Sequence, residues 1–110
     1  MTKVFIVFLG LTIFVVSSSN AAVYKGQKEF IKQCRKCHTP AQGFVSSHTA
    51  AEWEKIFTND GKNLVALHLK EKKAKAAWNY FKGKKYPKKV KHLRQFFMEY
   101  AKDSGNVPCL

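Results

Sequence analysis

Residues 24–38 read YKGQKEFIKQCRKCH. Phe30, Ile31 and Cys34 recur at helical spacing, so a helix is predicted over residues 24–37, closed by Thr39-Pro40. Its end, Cys34-Arg35-Lys36-Cys37-His38, is a C-x-x-C-H pattern. On a helical turn, two thiols three residues apart face the same side. Both can form thioethers to the two vinyl groups of one porphyrin. The next residue, His38, then lies near the ring normal, where its imidazole can ligate the iron from the proximal face. A redox dithiol needs the two cysteines but not the histidine. A zinc site needs a second pair of ligands at suitable spacing, and only isolated His48, His68, His92 and Cys109 remain. The pattern points to one haem c, held covalently through Cys34 and Cys37, with iron on His38.

No strand run is convincing elsewhere, and the chain reads as all-α. Residues 42–47 read as loop. A second helix starts at Thr49, whose spacing to Glu52 is a capping box, with Trp53, Ile56 and Phe57 on its apolar face. Asn59-Asp60-Gly61 is a stop and turn. An apolar patch, residues 64–69, leads to a third, Lys- and Ala-rich helix with Ala74, Ala77, Trp78 and Phe81 on one side, punctuated by Gly83 and Pro87. The last helix is predicted over 88–103, with Val90, Leu93, Phe97 and Tyr100 as its stripe. Ser104-Gly105-Asn106 ends it.

The chain has 110 residues, and residues 1–21 read as a secretory signal. Lys3 is followed by VFIVFLGLTIFVV, an apolar run of 13 residues, and then by small and polar residues. Ser19-x-Ala21 fits the cleavage pattern and places the cut after Ala21. A spanning helix needs about 20 apolar residues, so the run is too short for an anchor. Residues 22–110 then form one domain. A domain this small rarely holds together by apolar burial alone, and a tethered porphyrin supplies the missing core. Exposed thiols in an oxidising compartment would tend to pair, whereas thioethers are inert.

The spacing Gly26-x-x-x-Phe30-x-x-x-Cys34-x-x-Cys37-His38 resembles the opening helix of class I cytochromes c, most of all the small periplasmic monohaem cytochromes of bacteria. The match is specific over residues 26–38 and loose over 24–104. The resemblance implies a small helical domain wrapped around one haem, single-electron transfer and a haem edge exposed to partners. It also implies that Gly26 lets the first helix cross the last closely. Phe30 would then pack on an aromatic of that last helix, Phe97 or Tyr100. Trp53 reads as core, or as a contact to a haem propionate as in similar small cytochromes.

The family supplies a distal methionine from a loop before the final helix. Here Met98, the one methionine beyond the signal, sits inside that helix, which speaks against His/Met ligation. His68 is the expected distal ligand: its neighbours in 64–69 are apolar, so it should face the interior, where a buried imidazole needs a partner. His48, His92, Met98, Asn79, a lysine, or no ligand remain alternatives. Cys109 receives no role.

The chain carries 20 Lys+Arg against 7 Asp+Glu, a net +13. Loss of the signal, with Lys3, leaves 13 − 1 = +12. Residues 70–94 hold 11 basic residues and one acidic residue, Glu71. Such a face suits acidic redox partners, or an anionic membrane surface. Nucleic acid is not expected, because an exported protein rarely meets it and no recognition motif is present. The sequence therefore reads as a periplasmic monomer, an electron carrier and not an enzyme. The alternative is a haem protein with an open or weakly held distal site that binds a small gas or acts as a haem enzyme.

Overall fold

The computed structural model describes residues 10 and 18–110. The apolar run and Lys3, on which the expectation of a leader rests, lie outside the described residues, Gly10 aside. The described chain is helical, with no strand. Helix α1 spans Ser18–Gln33, α2 Ala41–Val45, α3 Ala50–Ile56 and α4 Lys62–Leu69. A 3-10 segment, Lys72–Ala77, leads into α5, Trp78–Lys82, and α6 spans Tyr86–Glu99. No described helix is long and apolar enough to cross a membrane.

Helix α1 crosses α6 at Gly26. A Cβ on Gly26 would stand 2.0 Å from the His92 carbonyl oxygen and 2.7 Å from Phe96 Cβ. Only a residue without a side chain permits this approach. Phe30, one turn on, is fully buried. Its ring centroid lies 5.4 Å from that of Phe96 and 5.5 Å from that of Phe97, edge-on in the second case. Gly26→Ala should therefore destabilise the fold. The clash with backbone costs about 2–3 kcal/mol, more than the gain of about 1 kcal/mol in helix propensity. A thermal midpoint unchanged or raised in Gly26→Ala would show that the helices do not meet here.

Helix α3 begins as expected. Thr49 Oγ1 accepts from Glu52 N at 3.2 Å, and Thr49 N donates to Glu52 Oε1 at 3.1 Å. The Thr49 N–H, then the His48 ring and the Thr49 hydroxyl, pull the Glu52 carboxyl from 4.5 down to about 2. A depressed carboxyl contributes stability above its unfolded pKa and loses it as pH falls through its folded one. The stability advantage over Glu52→Gln should thus be full above pH 4.5 and vanish near pH 2, read by fluorescence of neighbouring Trp53. A pH-independent difference would mean that the charge is not held by the cap.

The turn at Asn59-Asp60-Gly61 has three successive left-handed residues, φ 56°, 54° and 80°. Two suit Asn and Asp, and Gly61 passes under Val90, leaving 2.3 Å for any Cβ. Tyr86 Oη donates to Gly61 O at 2.6 Å, which ties this turn to α6.

Several boundaries differ from expectation. Among the described residues helix α1 spans Ser18–Gln33, reaching further back than Tyr24 and ending before the cysteines, which sit on the turn that continues it. There Cys34 N donates to Phe30 O at 2.8 Å and His38 N to Cys34 O at 3.1 Å. The expected cut after Ala21 falls within α1. Residues 42–47, expected as loop, hold α2, started by Phe44 N donating to Pro40 O at 2.9 Å. The patch at 64–69 is itself helix α4, and no residue of it is fully buried. The expected third helix is a 3-10 segment followed by five residues of α5. Helix α6 takes in Pro87 in its first turn, where a missing N–H costs no bond, and ends at Glu99. Beyond it, Lys102 N donates to His48 O at 2.9 Å and Ala50 N to Asp103 Oδ1 at 2.8 Å. The chain leaves the helix to bond the start of α3.

Candidate functional site

Helix α1, the turn after it, α4 and the 3-10 segment converge on one cleft of about 280 Å³. Cys34, Cys37, His38, Leu67, His68 and Phe81 stand on its wall. The two cysteines are free thiols. The rings of His38 and His68 both line it, centroids 6.1 Å apart and planes nearly perpendicular at 83°. Two imidazoles on opposite sides of one metal ion, each bonded at about 2 Å, have ring centres about 6 Å apart.

Each group is held by named neighbours. His38 stacks on Phe44 at 3.9 Å between centroids, planes 17° apart. Burial, and then the His68 charge, lower the His38 pKa. At neutral pH its ring therefore stays uncharged, with a lone pair free. His68 Nδ1 lies 2.8 Å from Leu64 O. A carbonyl only accepts, so Nδ1 carries a proton, and in the neutral ring the lone pair is on Nε2. Phe81 covers the His68 ring at 4.3 Å. Burial first, then the Glu29 carboxylate and the Cys37 thiol, push the Cys34 thiol up to about 12. A reactive dithiol needs the opposite shift.

A larger groove, about 1160 Å³, runs between α3, α4 and α6 and shares Phe81 with the cleft. It carries no cysteine or histidine, so the chemistry selects the smaller space. Among the described residues, no group of three or more His, Cys, Asp or Glu side chains is placed to hold a metal ion.

The structure brings Cys34, Cys37, His38 and His68 together. Of the histidines, Met98 and Asn79 considered for a second axial position, His68 alone lines the cleft with His38, and Lys73 stands on the same lining. Expected inside, it is only half-buried, and neighbouring Leu67 is 38% exposed on the cleft wall. His48 contacts Glu52 at 3.3 Å on the surface. His92 turns toward the α1 crossing, its Nδ1 buried without a hydrogen bond. Met98 packs against the core and Asn79 is exposed. Trp53 is buried, and its one N–H donates to Val45 O at 2.9 Å. A propionate contact would have to replace that bond.

Comparison with protein-family models, with curated proteins and with solved structures finds no match to this chain. What the site can do rests on its own residues.

Three contributors were not legible beforehand. Phe44, the platform for His38, lies in the stretch read as loop. Phe81 and Trp78 were placed on an apolar face, with nothing to aim them at His68. Trp78 Nε1 donates to His68 O at 2.8 Å.

Proposed function

We propose that this chain is an exported monohaem c-type cytochrome, a monomer that carries single electrons between redox partners in the periplasm. The observation that supports it most is the approach of His38 and His68, ring centroids 6.1 Å apart, in a cleft that both cysteines also line. The residues fit the group: a porphyrin brings four nitrogens and asks the chain only for axial ligands. When bound, haem iron supplies a one-electron couple. Cys34 and Cys37 would tether the ring, and His38 and His68 would hold the iron. Phe44 holds the His38 ring plane, and Leu64 O holds the His68 tautomer. Leu67, Ala74 and Ala77 give the cleft an apolar lining.

The spectrum of the reduced protein, with and without carbon monoxide, tests this reading. Two filled axial positions give a low-spin spectrum that carbon monoxide changes slowly or not at all. Immediate carbon monoxide binding would favour the gas-binding or enzymatic alternative. No haem spectrum at all would end both.

The charge distribution supports an acidic redox partner, with an anionic membrane surface as a second place of attraction. The ten lysines of residues 70–94 are all exposed. None of them is in an ion pair among the described residues. Electron exchange with an acidic protein should therefore slow as salt rises from about 10 to 200 mM, as the Debye length contracts from about 30 Å to below about 8 Å. A flat salt dependence would mean that these lysines only solvate the surface.

A further inference from the structure

On the reading that His68 is an axial ligand, we infer that Trp78 is its positioning residue, holding His68 over the cleft through the main chain. His68 is next to last in α4, so its carbonyl lacks an intrahelical partner. Two donors take it: Glu71 N at 3.1 Å and Trp78 Nε1 at 2.8 Å. The first is a local turn, available to any sequence. The second reaches across ten residues and fastens the end of α4 to the start of α5.

From the same helix, Phe81 packs on the His68 ring at 4.3 Å. The ring itself is turned by Leu64 O, one turn earlier. His68 is thus fixed at its carbonyl, at Nδ1 and on one ring face, with Nε2 left for the cleft. The start of α4 is held by Leu64 and Val65 against the core and by Asn63 Nδ2 donating to Lys55 O at 3.1 Å, but none of its residues is fully buried, and its far end, where His68 stands, is tied to α5 by the Trp78 bond. Without the Trp78 bond, α4 loses its long-range polar tie to α5, and His68 leaves its place more often.

The test uses the haem-loaded protein. Trp78→Phe keeps an aromatic ring and removes the donor. It should raise the rate at which carbon monoxide enters the reduced protein about fivefold, the size one hydrogen bond commands. Lys82→Ala, which removes the ammonium lying 5.8 Å over the Trp78 ring, should leave that rate unchanged. Coupling is reciprocal, so the unmodified protein gives a second measurement should Trp78→Phe not fold. Displacing His68 with cyanide should speed hydrogen exchange at the Trp78 indole N–H by a similar factor.

A Trp78→Phe rate equal to that of the unmodified protein, or indole exchange indifferent to cyanide, overturns the inference. The wider reading fails by different signs. A chain that carries no haem by mass defeats the proposed function whatever Trp78 does. His68→Ala that remains low-spin defeats the ligand assignment.

Discussion

Replacing Cys34 and Cys37 together with alanine should abolish covalent haem. The unmodified chain should keep the group through a reducing, denaturing gel and through acidic organic solvent, with a mass raised by one porphyrin. The double variant should show none of this. Each single variant should retain one thioether. Cys34 and Cys37 stand on one cleft wall beside His38. Thioethers resist the reductants that open disulfides, so the readout separates attachment from mere binding. Haem released from the unmodified chain by acidic solvent would mean that the thiols serve something else.

The second large effect is expected at His68. His68→Ala should turn the iron high-spin and raise carbon monoxide affinity by at least tenfold, about 1.4 kcal/mol. His92→Ala and Met98→Leu should keep the low-spin spectrum, because neither side chain lines the cleft. The unmodified protein should also lack the sulfur-to-iron band of His/Met pairs, and its potential should lie below theirs, since methionine raises it. A His68→Ala variant that stays low-spin, beside a Met98→Leu variant that does not, would move the assignment to Met98.

Local signals carried much of the fold. The capping box at Thr49 and Glu52 and the turn at Asn59-Asp60-Gly61 were legible as short-range residue chemistry, and the packing of Phe30 on Phe97 or Tyr100 was implied by the family resemblance, with Phe97 the one it meets. Phe96 was not. A stripe of Val90, Leu93, Phe97 and Tyr100 suits a helix with one neighbour, but α6 packs on both α1 and α3 and buries a wider face. Phe96 faces Gly26 and Phe30, while Phe97 meets Trp53 and Phe57. Helix α2 carries no capping side chain and includes Gly43, so composition argued for loop. Lysine and alanine favour an α-helix, yet residues 72–77 adopt a tighter turn. Glu71 opens it by accepting Lys73 N and Ala74 N, and Trp78 closes it on His68. In the site, the C-x-x-C-H segment was legible because its chemistry is contiguous. His68 was singled out by its apolar neighbours, but how near it comes to His38 was not legible, because that depends on how α4 is carried across the molecule.

The crossing at Gly26 also sets an order of events. It joins α1, near the start of the chain, to His92 and Phe96 near its end, and contacts so distant in sequence form late. A chain made from its N-terminus presents Cys34 and Cys37 well before α6 exists to cover α1. During that interval the thiols stand on a segment without its packing partners. On the proposed reading, having the C-x-x-C-H segment on the turn that ends the first helix, and that helix's packing partners on the last, would give attachment a head start over folding.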